Sequence, residues 1–209
     1  MATGDFFLPD AKARVTRAIE AIEKETAAEI VVTVRRRSER YRDTDYLVGL
    51  ALAMIVLLVL LFHPHPFATE TMPIDVLIGF AVGTLVSANA APVRRLLTSR
   101  TRMRESVRVA ARAAFYDQGV SATTGRTGVL VFVSMFERRV EVVSDRGVAS
   151  ADLGATWSAA VTRLEQVLSP RADFDAFVAA LEALAPPLAR ALPVRADDVD
   201  ELPNEPVMA

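Results

Sequence analysis

A chain of 209 residues holds one domain or two small ones, and 52% of its residues are hydrophobic against 24% charged. The formal net charge of -2 excludes a globally basic nucleic-acid binder. With no cysteine, disulfides, thiolate nucleophiles and Cys-ligated metal centres are ruled out; the two histidines, His63 and His65, leave none elsewhere for a Ser-His-Asp triad.

Residues 10–26 carry Val15, Ile19 and Ile22 at helical spacing, which predicts an amphipathic helix. Asp10, after Pro9, is its expected N-cap, with Phe6 or Phe7 upstream as a staple. Residues 29–34 (EIVVTV) are β-branched and apolar on both faces, the pattern of a strand in a covered sheet. An unbroken apolar run follows at 47–62; with Tyr46 it reaches the length of a helix crossing a hydrocarbon core of about 30 Å. A second run, 74–91, carries one charge, Asp75, in its first turn. Pro64, Pro66 and Pro73 separate the two.

The prediction is a transmembrane hairpin, with helices at about 46–62 and 74–91 and a loop at 63–73. Two buried helices of a soluble domain would need cover on every side. Gly79, Gly83 and Ser87 form a ridge of small residues and Gly49 and Ala53 a matching groove, which packs the hairpin rather than a dimer; a homo-oligomer stays open. Arg35, Arg36, Arg37, Arg40 and Arg42 precede the hairpin, and Arg94, Arg95, Arg100, Arg102, Arg104, Arg108 and Arg112 follow it, while its loop has no basic residue. The positive-inside rule then places both termini in the cytoplasm, on a two-pass anchor in the cytoplasmic membrane. No aromatic residues interleave with these arginines as a nucleic-acid platform requires. Residues 1–30 are charged and amphipathic, unlike a signal peptide.

Past the hairpin, residues 103–117 read as a second amphipathic helix and 128–135 (GVLVFVSM) as a second buried strand. Residues 137–145 alternate, with a tight turn near 135–137 making an antiparallel pair with the strand before. The first two strands, joined through helices, are expected to pair in parallel. Helices follow at about 154–168, capped by Asp152 or Ser150, and at 173–191, capped by Asp173 and ended or kinked near Ala185 by Pro186 and Pro187. The fold class expected is α/β: a small α/β/α sandwich with a mixed sheet, residues 1–45 and 93–192, interrupted by the transmembrane hairpin 46–92. The acidic, Pro-containing tail, 193–209, is expected to be disordered or loosely attracted to the arginine belt.

Three stretches carry a resemblance: IEAIEKETAAEIVVTV (19–34), AAFYDQGVSATTGRTGVLVFVSMFERRVEVVSDRGV (113–148), and WSAAVTRLEQVL with ADFDAFVAALEALAPPLARAL beyond it. They resemble the TPM domain family, and in particular its bacterial membrane proteins whose domain is split by two transmembrane helices. The resemblance implies an α/β/α sandwich, and links to divalent-metal binding, weak acid-phosphatase activity and the assembly or repair of membrane complexes. The family's loop before the second strand often carries an acidic residue and Asn; here it reads Gly125-Arg126-Thr127-Gly128, with no carboxylate. Family members are also often exported, unlike the cytoplasmic placement the arginines indicate.

A hard-cation site needs several converging oxygens, and Asp117 and Asp145 are the candidate ligands, for Ca²⁺ or Mg²⁺. Ahead of a metal site, Asp145-Arg146-Gly147 reads as a simple turn, with Asp145 accepting backbone N–H bonds and Gly147 at positive φ. Thr123-Thr124-Gly125 suits a small anion-binding turn. His63-Pro64-His65-Pro66 reads as the hairpin's turn ahead of a two-ligand metal site. Two functions stand: a non-enzymatic, membrane-anchored factor that binds a membrane-protein partner in assembly or maintenance, and, as the alternative, a divalent-metal-dependent phosphatase.

Overall fold

The structure is a computed structural model and describes residues 6–64, 67–169, 172–194 and 199–209. The chain forms two compact units, one of Met1–Ser38 with Arg104–Ala209, the other of Glu39–Met103.

The first unit is mixed α/β around a four-stranded mixed sheet of order β3-β2-β1-β4. β1 (Glu29–Arg35) and β2 (Gly128–Ser134) are parallel over their whole length, from Glu29 opposite Gly128 to Arg35 opposite Ser134. β3 (Arg139–Ser144) is antiparallel to β2. Both relations are those the sequence predicts.

Period-two side-chain alternation sorts the two central strands between two cores. Ile30, Val32, Val34, Val129, Val131 and Val133 join the buried residues of α1 (Pro9–Glu23), α7 (Gly154–Gln166), α8 (Phe174–Glu182) and α9 (Ala185–Ala191). Val31, Leu130 and Phe132 face the other way and pack with Val107, Ala111, Ala114 and Phe115 of α5 (Arg100–Asp117). Phe6 reaches past α1 into the first of these cores, edge-on to Phe174 with ring centroids 5.1 Å apart. Gly128 is required at the start of β2, because a Cβ there would lie 2.2 Å from the carbonyl oxygen of Val120.

Three local expectations are corrected. Pro9 occupies the first turn of α1, so Leu8 takes the cap position without a side-chain bond and Asp10 lies inside the helix. Neither Asp152 nor Ser150 caps α7: Leu153 holds that place, and the Ser150 hydroxyl donates to the Gly147 carbonyl within a short helix, α6 (Arg146–Ser150). The stretch 173–191 is interrupted near Ala185 as expected, and forms two helices. Asp173 caps α8 as expected, accepting from the N–H groups of Asp175 and Ala176, while Pro186 and Pro187 sit in the first turn of α9, where proline displaces no helical hydrogen bond.

The third correction is the tail. Val207–Met208 forms β4, parallel to β1. The Ala209 N–H donates to the Val34 carbonyl and the Arg36 N–H to the Ala209 carbonyl, each at 2.9 Å. A strand buried on both faces and left open at one edge has main-chain groups to satisfy, and the tail supplies partners despite its polar composition.

The second unit contains α2 (Arg42–Phe62), α3 (Met72–Asn89) and α4 (Ala91–Leu97), the last unpredicted. α2 and α3 are long and apolar enough to cross a membrane, and only 17% of each apolar window is buried. The ridge and groove of small residues meet as expected: a Cβ on Gly83 would sit 2.9 Å from Gly49 Cα, and one on Gly49 would sit 2.7 Å from the Phe80 carbonyl oxygen. The His63 ring lies against that of Phe67, tilted by 56° with centroids 5.5 Å apart; the second histidine of that turn, His65, lies outside the described residues.

Candidate functional site

Asp145 and Asp117 occupy different settings. Asp145 is buried at the N-terminus of α6, where one carboxylate oxygen accepts the Arg146 N–H at 2.7 Å. Its other oxygen, Oδ2, has no hydrogen-bond partner and lies 3.9 Å from an Arg126 guanidinium nitrogen. Asp117 is exposed at the last turn of α5. Among the described residues no group of three or more His, Asp and Glu side chains is placed to hold a metal ion. Gly147 does not take positive φ. It lies inside α6, and its need for glycine comes from contact: a Cβ would meet the carbonyl oxygens of Gly125 and Arg126 at 2.6 Å.

The Thr123-Thr124-Gly125 turn does hold an anion, and the anion belongs to this chain. The Thr124 N–H and hydroxyl both donate to the Glu201 carboxylate at 3.0 Å, while the Thr123 hydroxyl oxygen accepts the Thr127 N–H at 3.1 Å. Around the start of β1, two more carboxylates bond to backbone. Glu23 Oε1 accepts the Ile30 N–H at 2.9 Å, and its Oε2 is buried without a partner. Glu29 accepts from the N–H groups of Glu201 and Leu202 at 3.4 and 3.3 Å.

Burial pushes the Glu23 carboxyl up to about 8, against the Ile30 N–H bond and with help from the negative charges of Glu29, Asp200 and Glu20. Burial, with Asp200 and Glu201 adding to it, also raises Glu29. No cation bonds to Glu23 among the described contacts, so retaining a proton is how this carboxyl tolerates its place.

A third polar cluster closes the turn between β2 and β3. The Ser134 hydroxyl donates to the Glu137 carboxylate, which also accepts the Ser38 N–H at 3.0 Å, and the Ser38 hydroxyl donates to Ser134 Oγ at 2.8 Å. It ties the chain leaving β1 to the far end of β2.

The hairpin unit holds a buried ion pair that the sequence reading missed. Arg94, on α4, donates from Nε to Asp45 Oδ1 at 2.8 Å and from a terminal nitrogen to Oδ2 at 2.9 Å. Ser87 of α3 donates to the same Oδ1 at 2.7 Å, and Arg94 reaches the Ala88 carbonyl at 2.8 Å. All three side chains are buried. The bidentate geometry joins α2, α3 and α4, and Asp45 lies in the first turn of α2, where the helix dipole favours a carboxylate. Arg94 is therefore a packing element, where the sequence reading counted it only among the charges flanking the hairpin. The missed signal was a carboxylate adjoining an apolar run, which needs a partner when buried. Arg102 makes exposed pairs with Glu39 at 2.6 Å and with Asp43, and lies over the Tyr41 ring.

No family model matches the chain, and no curated protein matches it by sequence. Among solved structures it is similar to the NMR structure of the BA42 protein from the psychrophilic bacterium Bizionia argentinensis, with a TM-score of 0.56 and 17% identity over 97% of this chain and 94% of that one. At that identity the likeness concerns the fold alone.

Two outcomes follow from these charges. Asp45→Ala or Arg94→Ala alone strands a buried charge and should cost about 3–5 kcal/mol in denaturant unfolding from detergent, whereas an Asp45→Leu/Arg94→Leu chain should lose less than the two single losses combined. Glu23, with a folded value near 8 above its ordinary 4.5, holds a proton that the unfolded chain releases between those values. Its contribution to stability is thus fully present below about pH 4.5 and is lost as pH rises to about 8. Glu23→Gln should flatten that decline, stabilising the protein at pH 8 and leaving it nearly unchanged at pH 4, as read from paired denaturation curves.

Proposed function

We propose that the chain is a two-pass, membrane-anchored factor whose α/β unit, a TPM-like α/β/α sandwich, binds a protein partner at the cytoplasmic membrane in assembly or maintenance. The observation that carries the anchoring is the sheet itself. β1 precedes the hairpin and β2 follows it, yet they pair along their full length, so a membrane excursion between them crosses an even number of times. Two apolar helices meeting through glycines, with Leu47, Leu50, Leu77 and Leu85 exposed on their outer faces, supply those crossings. Twelve arginines flanking an arginine-free loop favour the cytoplasmic side for both flanks.

For the partner, the supporting feature is α5, which leaves Val109, Ala113 and Tyr116 exposed along one face, with Tyr116 71% accessible. Exposed aromatic side chains beside arginines suit a protein interface. The second reading, a divalent-metal-dependent phosphatase, rests on the buried Asp145 Oδ2, which accepts no hydrogen bond and lies 3.9 Å from Arg126. No group of three or more His, Asp and Glu side chains placed to hold a metal ion accompanies it among the described residues.

A photocrosslinking amino acid at Tyr116 should capture a defined membrane-associated protein in native membranes, and Val109→Glu in the same chain should abolish the adduct. The same probe at Thr162, exposed on α7, should give none. Equal capture from both positions, or adducts indifferent to Val109→Glu, would count against a partner site on α5.

A further inference from the structure

The tail holds β1 by three kinds of contact. Val207 and Met208 lie opposite Thr33 and Val34, and Ala209 bonds through both its N–H and its carbonyl. Upstream, Glu29 accepts the Glu201 and Leu202 N–H groups, while the Glu201 carboxylate fills the Thr124 turn. Leu202 packs on the α5 side of the core, and Glu205 pairs with Lys12 at 2.7 Å on the surface.

These are the bonds of a peptide added to a sheet edge: main-chain pairing holds it, and flanking side chains select it. The hold is also slight. β4 has two residues against the seven of β1, and the Lys12 and Thr124 contacts are exposed, where such bonds contribute little. β1 has lasting cover on both faces and on its β2 edge; its other edge depends on this segment.

We infer that residues 199–209 are an in-chain occupant of a strand-addition site on the β1 edge, which an extended acidic segment of a protein partner takes when the tail leaves. The tail defines the ligand: a carboxylate for the Thr124 turn, an apolar residue in the place of Leu202, a second carboxylate for Lys12, and a short extended pair alongside Thr33 and Val34. The origin of that segment rests on the partner-binding reading above; the exchange itself does not.

The test uses the full chain and a labelled peptide of residues 199–209. A Glu201→Ala/Ala209→Pro chain has lost the turn's anion and the N–H to Val34, and should bind the peptide about tenfold or more tighter than the natural chain, whose own tail competes at high effective concentration. A peptide carrying the same two substitutions should not bind. Hydrogen exchange of the natural chain provides a measurement independent of the variant's folding: the Ala209 and Arg36 amides should open well before that of Val131. Exchange of all three only by global unfolding would overturn the inference. So would a folded variant that binds no better than the natural chain, or one that doubles its mass by swapping tails and takes up no peptide. Because no membrane protein is present in this titration, its failure would leave the Tyr116 crosslink to be judged separately.

Discussion

The parallel pairing of β1 with β2 is the constraint on which the rest depends. The two strands carry most of the sheet's apolar side chains, feed both cores, and are separated in sequence by the whole hairpin. Neither is stable alone, since each is apolar on both faces, and the pairing must close a long loop before any of that burial is gained. The hairpin unit eases this closure if it forms first, because two antiparallel helices return the chain toward its starting level. The Ser38–Ser134–Glu137 cluster then joins the point where the chain leaves β1 to the end of β2. Glycine at 128 and the small residues at 49 and 83 permit the close backbone approaches this arrangement uses.

The chain handles buried carboxylates in two ways. Asp45 is paired: a bidentate arginine and a serine hydroxyl satisfy it, and the cluster joins three helices. Glu23 has one backbone donor and lies among other carboxylates, so it keeps its proton to near neutral pH. The first arrangement fixes the geometry of the three helices. The second places a pH-dependent group beside the edge of β1, close to the residues that receive the tail.

Much of the fold of both units was legible because its signals are local. Strands with no polar face, a Gly-bounded run at 128–134, Asp173 ahead of an apolar helix and small residues at four-residue spacing each point to one structure. The misses share a cause as well: they depend on neighbours distant in sequence. Asp45 and Arg94 look like ordinary flanking charges until α2 and α4 meet. The composition of 199–209 argues for disorder, and only the open edge of β1 gives Val207 and Met208 a place in a sheet. The Thr124 turn was readable as an anion site, but not that the chain's own Glu201 fills it. Asp117 and Asp145 were selected for being acidic and in loops, which tells nothing of convergence; one proves to be an exposed helix end and the other a buried cap.

The absence of cysteine makes the central claim open to a direct measurement. Single cysteines at Arg40, Glu70 and Glu105, all exposed, can be labelled with a membrane-impermeant maleimide in right-side-out and inverted vesicles. A sheet closed across a two-helix crossing requires positions 40 and 105 to react from the same face, that of the inverted vesicles, and position 70 from the other. Labelling of 40 and 105 from opposite faces, or of all three from one, would contradict it.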